Sequence, residues 1–114
     1  MDSHKLLQLA AQACDDKRAE DLVALDMREL SLIADYFLIC HGSTERQVDA
    51  ISKGIKDVVE EQGVEVKKIE GKDQARWVLV DLDDVVIHIF HKEERGYYNL
   101  EKLWGDADTV PLSI

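Results

Sequence analysis

The apolar positions change period several times along the chain, and each change marks an element. Ser3 is a suitable N-cap, and Leu6, Leu9, Ala10, Ala13 and Cys14 then recur at helical spacing up to the charged stretch Asp15 to Arg18. Leu22 to Leu25 is a short apolar run, and Tyr36 to Cys40 is a second one, richer in aromatic and branched residues. Both predict strands, connected by Arg28 to Asp35. Thr44-x-x-Gln47 then forms a capping box, and Val48, Ile51, Ile55, Val58 and Val59 make the apolar stripe of a second helix that ends before Gly63.

Val64 to Ile69 alternates with Glu65, Lys67 and Lys68, which predicts a strand with one polar face, and Gly71-Lys72-Asp73 reads as a turn. Trp77 to Leu82 and Val85 to His91 form a hairpin across Asp83-Asp84, although Asn-Gly or Asp-Gly would suit its positive dihedrals better. Val85, Ile87 and Ile89 alternate with Val86 and Phe90, so both faces of the second hairpin strand are apolar and it should be central. Beyond it, Arg95 to Trp104 carries Tyr97, Leu100, Leu103 and Trp104 in a short helical or turn-rich docking segment. Leu100, Leu103 and Trp104 have the spacing of inward packing. Five strands with flanking helices make an α/β domain, here residues 1–106, followed by a polar C-terminal tail, 107–114, around Pro111.

With 114 residues there is room for one domain and one core, and a 46% hydrophobic content is enough to bury roughly 60 to 70% of the unfolded surface. Lys and Arg total 14 against 24 for Asp and Glu, a formal net charge of −10. Such a field repels phosphate backbones and anionic lipid, and it speeds encounter with a basic protein, the class to which many ribosomal proteins belong. Cys14 and Cys40 have no CxxC spacing and no His cluster beside them; they read as reduced, buried thiols acting as small hydrophobes. Met1 to Lys5 holds no apolar signal core, and no apolar run reaches the roughly 18 residues of a bilayer span, so a cytoplasmic location is expected.

Candidate chemistry is sparse. His88 and His91 lie three apart on a strand, project to opposite faces and cannot share a metal ion. His88 should pack beside Val86 and Phe90 with one nitrogen satisfied, whereas His91, at the strand end, is exposed or interfacial. Gly71-Lys72 is no phosphate loop, since Asp73 replaces the required hydroxyl residue and Val66 the first glycine. The strongest enzymatic constellation is Gly42-Ser43 opening a capped helix together with Asp81-x-Asp83, whose carboxylates share a strand face and could hold Mg²⁺. It is similar to a fragment of a nucleotidyltransferase site, but a whole helix and another strand separate its halves, and no basic residues cluster near the carboxylates. No cofactor or metal is expected.

Three blocks carry a family resemblance. The first is Asp35-Tyr36-Phe37-Leu38-Ile39-Cys40-His41-Gly42-Ser43, continuing through Arg46-Gln47-Val48 and Ala50-Ile51; the second is Trp77-Val78-Leu79-Val80-Asp81-Leu82 through Val86-Ile87-His88; the third is Tyr98-Asn99-Leu100-Glu101-Lys102-Leu103-Trp104. Together, in this order and from the first helix to Asp106, they resemble the RsfS/Iojap family of ribosomal silencing factors. The resemblance implies a mixed five-stranded sheet on a nucleotidyltransferase-like scaffold without catalysis. It also implies binding to ribosomal protein fourteen (uL14) on the large subunit, so that the small subunit is excluded and translation falls under nutrient limitation. Family members can form homodimers. The chain departs from the family in carrying Asp83 where Gly is frequent and His41 where a hydroxyl residue is frequent. Organellar relatives carry targeting extensions, and their absence here implies a bacterial source.

On this reading the partner-binding residues are Trp77 and Tyr98 as aromatic anchors, with Asp81, His91, Lys92 and Glu94 around them. Trp77 shares an alternating strand face with Leu79 and Asp81, and the charged segment from His91 to Arg95 can return Tyr98 to the same edge. Two rival functions are a small Mg²⁺-dependent nucleotidyltransferase using Asp81 and Asp83, and a dimeric adaptor with no ribosomal partner.

Overall fold

Helix α1 (Ser3–Asp16) is capped by Asp2 rather than by Ser3: the Asp2 carboxylate accepts the Lys5 N–H at 2.8 Å. A carboxylate there satisfies a free amide and also meets the positive end of the helix, which a serine hydroxyl does less well. The computed structural model describes residues 1–114. At the far end of α1, Arg18 takes a left-handed conformation (φ 63°), with Arg18 N–H on Asp15 O and Ala19 N–H on Cys14 O. These two bonds turn the chain straight into strand β1 (Glu20–Asp26).

Strand β2 (Tyr36–Gly42) follows, then α2 (Glu45–Glu61), β3 (Lys68–Glu70), β4 (Trp77–Asp81) and β5 (Val85–His91), and the chain closes with two short helices, α3 (Lys92–Tyr98) and α4 (Leu100–Leu103). The sheet order is β1-β2-β5-β4-β3, with β2 and β5 parallel and every other pair antiparallel. This is the mixed five-stranded α/β sheet expected, with β5 in the middle and all seven of its residues buried.

The capping box of α2 forms in an altered way. Thr44 Oγ1 accepts the Gln47 N–H at 3.1 Å, but the Gln47 carbonyl reaches past Thr44 to accept the Ser43 N–H at 2.7 Å. Its amide nitrogen donates to Arg18 O at 2.8 Å, tying the start of α2 to the end of α1. The strand expected from Val64 to Ile69 contracts to Lys68–Glu70. The reason is local: Gly63 is left-handed (φ 78°), and Gly63 N–H on Glu60 O with Val64 N–H on Val59 O consumes Val64 in closing the helix. Val64 and Val66 still turn inward against the core, so the alternation was real although the ladder begins later.

Period-two alternation splits the side chains of the sheet between two layers. On one side Leu38, Cys40, Val78, Val80, Ile87 and Ile89 meet α1 and α2 in a core cluster of 21 buried residues. Cys14 and Cys40 sit in it as free thiols; a hydrogen bond between them, then burial, pushes the Cys14 thiol well above its ordinary pKa and keeps it protonated. On the other side a smaller cluster of Leu25, Met27, Ile39, Phe90 and Leu100 is partly roofed by the C-terminal helices. Leu100 packs inward and Trp104 is half-buried, but Leu103 is 69% exposed, against the inward packing its spacing suggested. In so short a helix Leu100 alone takes the buried position.

The hairpin turn places Asp83 at φ 76°, the first central position that two-residue turns often reserve for glycine. The Asp81 carboxylate accepts the Asp83 N–H at 2.8 Å and stabilises that conformation. Beyond Asp106 the chain returns along β1: Asp26 N–H donates to Asp108 O, Val110 N–H to Ala24 O, and Gln8 exchanges hydrogen bonds with Pro111 and Ser113.

Candidate protein-binding face

The side of the sheet turned away from α1 and α2 carries Trp77, Leu79 and Asp81 from β4, Val86, His88 and Phe90 from β5, and Phe37 and Ile39 from β2. The Trp77 indole lies 5.0 Å from the Phe90 ring and 4.6 Å from the Tyr98 ring, centroid to centroid. His88 lies 4.9 Å from Phe37, which in turn meets Trp104 at 6.0 Å. At the other end Tyr98 touches Tyr97 at 5.1 Å, and these two tyrosines are 43% and 80% exposed. An aromatic run therefore crosses the face from a half-buried end at Phe37 to an exposed end at Tyr97.

Trp77 Nε1–H donates to His88 Nδ1 at 3.2 Å. Indole nitrogen only donates, so Nδ1 must accept and the single imidazole proton resides on Nε2. That Nε2 is buried without a partner. Burial also pulls the His88 pKa down to about 4, so the ring is neutral near pH 7.

Helix α3 sets the position of Tyr98 and is pinned from two directions. His91 is its N-cap: Nδ1 accepts the Glu93 N–H at 3.2 Å, while the His91 N–H donates to Arg76 O at 2.9 Å. Arg76, immediately before Trp77, binds Glu94 Oε1 through Nε (3.1 Å) and Nη2 (2.6 Å) and reaches Glu93 at 3.0 Å. The Arg76 guanidinium holds the Glu93 carboxyl below its usual range. From the other side Arg95 Nη1 donates to His41 Nδ1 at 2.9 Å, and the opposite ring nitrogen of His41 meets Glu20 at 3.0 Å. Ser43 Oγ also donates to Glu20 at 3.0 Å; the Ser43 bond first, then His41, lowers the Glu20 pKa.

Of the residues singled out from sequence, Trp77 and Tyr98 are brought into contact and stand half-buried and exposed. Asp81 shares their face but lies four residues further along β4, at the hairpin end, where its carboxylate is engaged by Asp83. Lys92 is exposed on the first turn of α3, and Glu94 is held by Arg76. His91 is a correction: it is only 7% exposed and serves as a helix cap, because the chain bends into α3 directly after β5. His88 packs as expected, with one nitrogen satisfied. Neither Arg76, which ties α3 to the start of β4, nor Phe37, which meets His88 and Trp104, was singled out from sequence; a cation directly before Trp77 was the one available signal for Arg76.

The nucleotidyltransferase constellation is not assembled. Gly42 pairs with His91 at one end of β5, whereas Asp81 pairs with Val86 five residues away, roughly 17 Å along the strand. Ser43 meets Glu20 instead, and Asp83 meets Lys67 at 3.5 Å. No group of three or more His, Cys, Asp or Glu side chains is arranged to hold a metal ion.

The chain matches the family described as "RsfS: Ribosomal silencing factor during starvation" over residues 1–114. It is 64% identical to the ribosomal silencing factor RsfS of Bacillus subtilis, covering 100% of this chain and 97% of that protein. It is 35% identical to the chloroplastic protein Iojap of Zea mays over 90% of this chain and 44% of that one. A crystal structure from Bacillus halodurans superposes with a TM-score of 0.87 at 60% identity, over 96% of this chain and 100% of the other. On full-length agreement in sequence and in fold, the chain belongs to the RsfS family.

Proposed function

We propose that this protein binds ribosomal protein fourteen (uL14) on the free large ribosomal subunit in the bacterial cytoplasm, through the open face of its sheet, and that it thereby blocks association of the small subunit and lowers translation when nutrients are scarce. The observation that carries this reading is the Trp77–Tyr98 pair, an aromatic anchor held in place before any partner arrives and left accessible on the face that α1 and α2 do not cover. Aromatic side chains fixed in this way lose little entropy on docking and are frequent energetic centres of interfaces. The carboxylates nearby and the net charge of −10 suit a basic protein and disfavour RNA. Membership of a family whose relatives carry the name ribosomal silencing factor supports the same partner class.

Action by occlusion requires no chemistry, and separation of Gly42-Ser43 from Asp81 removes the support for a nucleotidyl-transfer rival. The test is a sucrose gradient with purified subunits. Protein added to large subunits before small subunits should co-sediment with the large subunit and reduce the joined-ribosome peak. Undiminished joining at saturating occupancy would refute occlusion.

A further inference from the structure

The nine residues between β1 and β2 form an internally hydrogen-bonded loop with an unusual surface. Met27 N–H donates to Asp35 O, and the Leu30 and Ser31 N–H groups return to Met27 O at 3.0 and 2.8 Å. Ser31 Oγ accepts from Ile33 N–H at 3.0 Å and Ala34 N–H at 3.4 Å. Asp35 and Tyr36 N–H both donate to Asp84 O, which clamps the loop to the β4–β5 hairpin, and Met27 and Ala34 are buried beneath. Despite this bracing Leu32 is fully exposed, Ile33 is 80% exposed and Leu30 is 40% exposed. A loop braced by these hydrogen bonds on both sides of Leu32 holds its aliphatic side chains in water, so their exposure is not a consequence of fraying.

Charge around the trio narrows the occupant. Glu29, Asp106 and Asp108 line a cleft with Leu30 and the Asp26–Arg28 pair; Asp35 ends the loop, and Asp84 adjoins it by accepting the Asp35 N–H. None of these five carboxylates has a cation within ion-pair distance, whereas Arg28, the local cation, is already bound to Asp26 at 2.7 Å. A second copy of this chain would bring the same carboxylates and another −10 charges, and a nucleic acid would bring phosphates. We infer that the β1–β2 loop is a second docking point, taken by a lysine- and arginine-rich protein surface of the large subunit with an apolar recess for Leu32 and Ile33. It rests on the reading above that the chain docks on that subunit, and it extends the contact from Tyr98 at one end of the strands to the loop at the other.

The test uses the full chain and purified large subunits, with affinity read by co-sedimentation. Leu32→Ser/Ile33→Ser should weaken binding about 10-fold or more while leaving the circular dichroism melt unchanged, because both side chains are exposed. Glu29→Gln/Asp106→Asn should flatten the salt dependence of binding. Parental affinity in the loop variant, alongside weakened binding by Trp77→Ala, would keep the docking reading and overturn this one. If the parent itself fails to bind, both fall. A loop variant that shifts a monomer–dimer equilibrium in sedimentation velocity, with unchanged subunit affinity, would make a second copy the occupant and overturn the assignment to a basic subunit protein.

Discussion

The two sides of the sheet are built from the same strands, residue by alternate residue, yet they are finished differently. Toward α1 and α2, aliphatic side chains and two thiols close against each other, and the fully buried Ser52 hydroxyl is satisfied by Asp49 O at 2.8 Å. Toward the C-terminal helices the cluster is small and is edged by the half-buried aromatics Phe37, Trp77 and Trp104. It keeps an unpartnered imidazole nitrogen and gives way to exposed Tyr97, Tyr98 and Leu103. A buried unpaired donor and exposed large apolar groups both cost free energy in the isolated chain. The helix-covered side therefore holds the larger, fully satisfied core, and the other side retains costs that a covering surface would relieve.

The largest expected effect breaks the covered side. Ile87 is fully buried on the central strand, so Ile87→Ala should cost about 3 kcal/mol in chemical denaturation, from lost transfer energy and a residual cavity. Leu103→Ser, on the open side, should change stability by less than about 0.5 kcal/mol. Equal costs would mean that the two sides are not energetically distinct.

Acid probes the open side next. His88 is held at a pKa of about 4 against an ordinary 6.5, so between these values the unfolded chain binds the extra proton. Stability should therefore be complete above pH 6.5 and decline as pH falls toward 4, by about 3 kcal/mol in all. The lowered carboxyls of Glu20, Asp26 and Glu93 act in a lower window, since each is protonated only below its ordinary value. His88→Gln can keep an acceptor for Trp77 and removes the titration. An unchanged pH slope between 6.5 and 4 in that variant would show that His88 is not the sensor.

How much of this was legible in the sequence follows the same division. The covered side obeyed simple periods: the α2 stripe became the buried row Val48, Ile51, Ile55 and Val59, and the doubly apolar β5 became the central strand. Trp77 and Tyr98 could be brought together because β4 alternation and a short return segment constrain them to one edge. Features made by distant groups were not legible. The burial of His91 depends on Arg76 and on α3 starting without a linker, and the Gln47 bridge depends on how α1 ends. The exposure of Leu103 depends on Leu100 occupying the inward position. Composition gave no hint that Leu32 and Ile33 would stand in solvent, since the Ser31 hydroxyl that braces the loop acts through the Ile33 and Ala34 amides.

Anchor truncation should have an intermediate effect, on binding more than on folding. Trp77→Ala and Tyr98→Ala should each weaken large-subunit binding by at least ~30-fold, the equivalent of about 2 kcal/mol. Tyr98→Ala is the cleaner variant, because its ring is partly exposed whereas Trp77 also supports Phe90 and His88. Both should retain parental circular dichroism. Parental binding by folded variants would move the contact elsewhere on the sheet.

The smallest effect concerns carboxylates around the anchors, and here the structure separates two that the sequence had grouped. Asp81 is half-buried with one oxygen on the Asp83 amide, so Asp81→Asn retains an acceptor for the turn and removes one unit of charge from the open face. Rim charges act mainly on the encounter, so stopped-flow association should slow by only about 2-fold at low salt and converge with the parent at high salt, with dissociation unchanged. Glu94→Gln removes the same charge but also loosens the Arg76 contacts at 2.6 and 3.1 Å that hold α3, and with it Tyr98, against the start of β4. Its association should slow similarly, while its dissociation should quicken and remain quicker at high salt. Identical salt-screened behaviour in the two variants would mean that Arg76 contributes nothing to the position of Tyr98, and that Glu93, its other close partner on α3, is enough to hold the helix.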